Sequence, residues 1–182
     1  MITMRILRQK ESYDFKANPN KPDSFENNWK NNSLDLLELR DGKQQLFMCK
    51  AQTVANYCFG SQKPGDKMAH GDTVAAGKFT VKCFVEPRSF HGEIHAITKT
   101  RDLDGQEIDR NAMQTTADGF QNGRWLIHDR YSFKTGKDTN YAWSAGCFIL
   151  SSKDLEAMNK VLKQHGFKSG DEIEGVLEEY WK

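Results

Sequence analysis

The chain has no apolar run approaching the ~20 residues that a membrane-crossing helix needs, so it offers no helical span. Charge of one sign is also missing. Its 26 Lys and Arg stand against 25 Asp and Glu, a net charge of +1, which removes any bulk attraction to nucleic acid or to an anionic membrane. The basic residues are spread out and form no stripe for a phosphate backbone. No two cysteines make a Cys-x-x-Cys pair, which argues against a zinc ribbon. Internal repeats and low-complexity tracts are absent, so nothing points to fibrous assembly. The stretch Met1-Ile-Thr-Met-Arg-Ile-Leu-Arg-Gln-Lys holds no apolar h-region followed by a small-residue cleavage site. The expectation is a protein that works without classical secretion, or one whose signal has been removed.

With 182 residues the chain can bury a sizeable core in one domain. Residues 11–33, with Asn18-Pro19-Asn20-Lys21-Pro22 and two Asn-Asn clusters, are polar and turn-rich. Leu34 to Arg40, Asp41-Gly42 and Gln45 to Cys49 predict strand, turn and strand, and residues 51–55 extend the second strand. Gly77 to Val85 alternates as a half-buried strand, and 91–98 is its hairpin partner, with a turn at Asp104-Gly105. Residues 107–122 carry no clear pattern. Trp125 to His128 and Cys147 to Leu150 are short strands. The period then changes: Ser151 is an N-cap, Leu155, Met158, Val161 and Leu162 follow at helical spacing, and Gly166 closes the helix. The tail from Asp171 is a final strand or a short helix. The sum is a mainly β (α+β) domain with one helix after the cysteine strand, and residues 1–33 are set apart as an N-terminal extension or embellishment of the domain at 34–182.

The most informative stretch runs from His128 to Cys147. A cysteine becomes a good nucleophile as the thiolate, and a nearby imidazole is the usual means of deprotonating it. Ser144-Ala145-Gly146 before the cysteine lets a backbone approach a substrate closely, and N–H groups in that turn are placed to receive an oxyanion. Of the other cysteines, Cys49 and Cys83 lie in apolar stretches and read as buried small hydrophobes; three leftover thiols, with Cys58, do not suit a disulfide framework. His91 and His95 share one face of a strand, either as a metal pair or as surface or groove-lining residues, and no Glu-x-x-His or cysteine partner accompanies them. His165 suits a helix C-terminus. Tyr141 and Trp143 flank a substrate groove or belong to the core.

His128 followed sixteen residues later by Ser144-Ala145-Gly146-Cys147-Phe148-Ile149 resembles the active-site signature of the L,D-transpeptidases (YkuD-type). The run Leu150 to Asp154 is similar to the family's entry into its helix, and Thr73 to Val81, with Gly77-Lys78-Phe79, is similar to its Gly-x-Phe strand opening. The likeness covers roughly residues 45–165. It implies a β-rich sandwich and cysteine-dependent acyl transfer on peptidoglycan stem peptides, at the amide after meso-diaminopimelate. Cys147 would be the nucleophile and His128 the base, with Asp129 orienting the imidazole if its side chain turns inward. Ser144, Ala145, Gly146, Tyr141 and Trp143 would meet the substrate. The reaction needs no cofactor and no metal, and its place is the periplasm or the cell wall, which suits a phage-encoded or secretion-delivered enzyme.

The chain departs from the family pattern at four points: Ala145 replaces a histidine, Ile149 an Arg or Asn, Asp129 a Gly or Ser, and the proline usual before the Gly-x-Phe strand is absent. Those at 145 and 149 favour an alternative, an inactive module on the same fold that binds wall peptide or a protein. A papain-like or NlpC-type peptidase ranks below both, because those families place the cysteine before the histidine.

Overall fold

The computed structural model describes residues 1–14, 35–55, 70–85, 92–108, 113–115, 121–123, 125–132, 136–138, 144 and 146–180. Along the chain come β1 (Ile2–Gln9), a 3-10 turn (Lys10–Asp14), β2 (Asp35–Asp41), β3 (Gln44–Ala51), β4 (Gly77–Val85) and β5 (Ile94–Thr98). Short strands follow: β6 (Thr100–Arg101), β7 (Glu107–Ile108), β8 (Met113–Thr115), β9 (Gln121–Gly123), β10 (Leu126–His128), β11 (Tyr131–Ser132), β12 (Lys137–Asp138) and β13 (Phe148–Ile149). Helix α1 (Ser152–Gln164) and β14 (Glu172–Tyr180) end the described chain. The protein is a mainly β (α+β) fold, as its alternating patterns predict.

Eight strands form one mixed sheet in the order β13-β10-β5-β4-β14-β1-β2-β3. Its two ends meet. Just after β3, Gln52 exchanges both main-chain hydrogen bonds with Ile149 of β13, at 2.9 and 2.8 Å, so the hydrogen-bonded order returns on itself and little edge is left open there. The predicted second strand, extended past Ala51, therefore ends as the seam of the sheet.

The boundary expected at residue 33 does not hold for the first strand. β1 lies in the middle of the sheet, parallel to β14 and antiparallel to β2. Its alternation explains this: Ile2, Met4 and Ile6 are buried in the core while their neighbours are half-exposed. Residues 15–34 lie outside the described residues.

Arg8 continues that inward row and is fully buried. Its guanidinium donates to Thr53 Oγ1 (2.9 Å), to the Thr53 carbonyl (3.0 Å) and to the Val74 carbonyl (2.8 Å), and it pairs with Glu179 at 3.4 Å. Asp35, its neighbour on β2, accepts from Ser12 Oγ, Thr53 Oγ1 and the Gln9 N–H. Burial pushes the Asp35 carboxyl above the usual carboxylate range. Tyr13 donates to Glu179 at 2.6 Å, and burial raises its phenol to about 12. This satisfied network fastens the 3-10 turn, the end of β3 and β14 together, and buried charges are tolerated only on such terms.

Helix α1 forms where the sequence places it. Ser151 accepts from the Asp154 N–H at 3.1 Å, and Gly166 takes φ +83 beyond the last turn. Leu155, Met158 and Leu162 sink into the core. Asn159 on the same face reaches His95: the Phe84 N–H donates to His95 Nδ1 at 3.0 Å, so the ring proton sits on Nε2, which donates to Asn159 Oδ1 at 2.6 Å. That N–H is available because the β4–β5 register shifts between Lys82 and Val85.

Gly175 of β14 faces Phe79 of β4. A methyl there would lie 2.3 Å from the Phe79 ring, and that buried ring is already edge-on to Phe148, with centroids 6.0 Å apart. Gly175→Ala is expected to cost roughly 1–3 kcal/mol, read as a lower urea midpoint at unchanged slope. An unmoved midpoint would mean the ring yields freely.

Candidate active site

Strands β10 and β13 run parallel, with Ile127 opposite Phe148 and His128 opposite Ile149. Cys147 precedes β13 and stands beside Leu126, two positions before His128. The expected strand thus starts one residue late, because Gly146 turns the chain with φ +126, a conformation glycine adopts readily. An added Cβ at Gly146 would meet the Asp72 carbonyl and the Trp125 ring at 2.8 Å. The small-residue turn is therefore required by packing.

Cys147 Sγ accepts from the Leu126 N–H at 3.4 Å. Ser144 Oγ accepts from the Gly146 N–H (3.1 Å) and donates to the Cys147 carbonyl (2.8 Å). Ser144, expected to touch substrate, pins the turn that carries the cysteine, and the Gly146 N–H is engaged within that turn.

His128 is held by its Nδ1, which hydrogen-bonds to the Asp129 carbonyl. A carbonyl only accepts, so Nδ1 carries the proton and Nε2 keeps a lone pair, the form a general base needs. The orienting group is thus the main chain of Asp129. Its carboxylate accepts from Ser152 Oγ at 2.6 Å, at the start of α1. Burial, with the Arg130 charge nearby, lowers the His128 pKa to about 3. The imidazole is neutral at physiological pH. Burial thus disfavours the imidazolium that would stabilise a resting thiolate, the ordinary route to a reactive cysteine.

Both groups lie deep: Cys147 is 5% exposed and His128 3%. A groove of about 920 Å³ runs between α1 and residues 92–93 and reaches this corner at Asp129. Ser152, Leu155, Lys153 and Lys160 line it. Ala145, Tyr141 and Trp143, the other expected substrate residues, lie outside the described residues, as do Cys58 and His91.

The remaining candidates resolve simply. Cys49 and Cys83 are buried, and burial raises their thiols, that of Cys83 to about 12. They are packing residues. His95 has both ring nitrogens committed within the protein and is no metal ligand. Among the described residues no group of three His, Cys, Asp or Glu side chains is placed to hold a metal ion, and no helix is long and apolar enough to cross a membrane. The sequence reading missed Trp125 and Asp72, which pack against the cysteine turn. The signal for Trp125 was a large aromatic immediately before the histidine strand; for Asp72, which acts through its carbonyl, there was none.

Fold and site together define a mainly β domain in which a turn-borne cysteine lies beside the first residue of the strand that carries a neutral histidine held by a main-chain carbonyl. The chain is 56% identical over 179 residues to an uncharacterized protein of Treponema pallidum (strain Nichols), spanning 98% of this chain and 80% of that protein, and it belongs to that protein's family. No family profile matches the chain, and no solved structure does.

Proposed function

We propose that the chain is a cysteine acyltransferase of the L,D-transpeptidase type acting on peptidoglycan stem peptides in the periplasm or wall, with Cys147 as nucleophile and His128 as base. The observation that carries this reading is the His128 tautomer: the Asp129 carbonyl holds Nδ1–H and leaves Nε2 as the proton acceptor, on the strand next to the cysteine.

With the imidazole neutral, proton transfer accompanies attack. Nε2 takes the thiol proton as Sγ adds to the amide carbonyl carbon, and the oxyanion forms at the cysteine turn. Collapse of the tetrahedral species breaks the C–N bond, and the imidazolium returns its proton to the departing amine. The thioester then passes to an amine, forming a crosslink or exchange product, or to water. No metal or cofactor enters these steps.

A second reading, a binding module on the same fold, has one observation in its favour: the near-complete burial of Cys147 and His128. Intact mass separates the two. After incubation with disaccharide-tetrapeptide, or with a carbapenem as acylating probe, an adduct on the wild type and none on Cys147→Ala supports the acyltransferase. Tetrapeptide binding without an adduct would transfer the assignment to the binding module.

A further inference from the structure

Trp125 is a non-glycine residue in the left-handed region, at φ +60. A bulky side chain there is strained and persists only where its surroundings enforce it, often at functional sites. The surroundings are identifiable. The indole Nε1 donates to the Asp72 carbonyl at 2.8 Å. The ring also packs against Gly146, close enough that a Cβ there would lie 2.8 Å from Nε1. The Trp125 carbonyl accepts from the Ile97 N–H at 2.8 Å.

That carbonyl belongs to the same planar peptide as the Leu126 N–H, and the two point in opposite directions. Fixing the carbonyl on β5 therefore aims the N–H away from β5, toward the strand that follows Cys147. In an uninterrupted ladder this N–H would meet a main-chain carbonyl. Gly146 has turned the chain away, and Cys147 Sγ takes the bond at 3.4 Å.

We infer that Trp125 is a positioning residue for Cys147: its left-handed backbone and its indole bond to Asp72 lock the 125–126 peptide so that the Leu126 N–H donates to the sulfur. An N–H so aimed favours the charged sulfur over the thiol, because a hydrogen bond to an anion is stronger than one to the neutral form. It supplies the polarisation that the neutral His128 cannot. The inference rests on the reading of Cys147 as a nucleophile, and it adds the device that prepares the sulfur before substrate arrives.

The test is a titration of the Cys147 thiolate by its ultraviolet absorbance, taken as the difference between each protein and the same protein carrying Cys147→Ser. Trp125→Phe keeps a ring and loses the indole donor. Its Cys147 pKa is expected to rise by about one unit, a tenfold smaller thiolate fraction at pH 7. A Trp125 that served packing alone would lower the melting temperature and leave the titration in place, so superimposable curves overturn the inference. If Trp125→Phe does not fold, replacement of Trp125 by benzothienylalanine keeps the shape of the indole and removes only its N–H, and the same rise is expected. Carbapenem adduct formation is followed on the same wild-type sample. An adduct with an unmoved titration sinks the role of Trp125 alone, whereas a missing adduct sinks the acyltransferase reading whatever the titration gives.

Discussion

Cys147→Ser is expected, on the acyltransferase reading proposed above, to lower turnover of a stem-peptide substrate by about 10³-fold or more, the scale on which loss of a covalent nucleophile is felt. The size follows from the site. His128 is a weak base, with burial holding its pKa at about 3, so the group it deprotonates must be intrinsically acidic. A thiol with an ordinary pKa near 8.5 can release its proton to such a base during attack, whereas a serine hydroxyl lies many units higher. The fold should be unaffected. Serine is smaller than cysteine, and its oxygen can accept the Leu126 N–H that Sγ now accepts. Turnover with disaccharide-tetrapeptide and a melting curve on the same sample make the comparison. Full activity in the variant would place the chemistry elsewhere in the molecule.

Acidification is expected to destabilise the protein from about pH 6.5 downward. His95 and His128 are both buried and neutral, with pKa values lowered to about 4 and about 3 from 6.5. Burial is the main cause for each, and the Asn159 bond with the Glu93 charge at His95 and the Asp129 carbonyl at His128 offset only part of it. Below pH 6.5 the unfolded chain binds a proton at each site and the folded chain does not, so stability rises with pH and is lost as pH falls toward the folded values. At 1.36 kcal/mol per pKa unit, His95 alone contributes roughly 3 kcal/mol at neutral pH that is gone below pH 4. Asp35 acts in the opposite sense. Its carboxyl is raised in the folded state, so its protonation in acid favours folding and offsets part of the loss. Urea denaturation at steps from pH 7 to pH 4 measures the sum. His95→Gln, whose amide can imitate the bonds to Phe84 and Asn159, should show a shallower pH slope by about one proton across that window. A wild-type stability that stays level from pH 7 to pH 4 would contradict the neutral burial of both histidines.

These effects divide by how far apart the responsible residues lie in the chain. Helix α1 was legible because its information is local: the Ser151 cap, the apolar stripe at Leu155, Met158 and Leu162, and the stop at Gly166 fall within sixteen positions. The Asp41-Gly42 turn and the strands beside it were legible for the same reason, as was the alternation of Gly77 to Val85. His128 and Cys147 stood out because their residue types and the small-residue turn between them are unusual together.

The N-terminal strand was misjudged although its alternation was present. Arg8 continues the apolar row, and a charge in that register reads as surface until its partners Thr53, Val74 and Glu179 are known. These three lie 45 to 171 positions away, beyond any local period. The meeting of the sheet's ends at Gln52 and Ile149 is of the same kind. So is the exchange of roles at Asp129, whose carbonyl holds the imidazole while its carboxylate holds Ser152. By itself the sequence determined the strands from 35 to 49 and from 77 to 85, the helix and its caps, and the pair of residues proposed for cysteine chemistry, because periodicity and residue chemistry are properties of neighbours in the chain. Only the tertiary structure decided the place of β1, the burial that keeps His128 neutral, and the Trp125 peptide that aims a hydrogen bond at Cys147, because solvent exclusion and strand pairing arise only when distant segments pack.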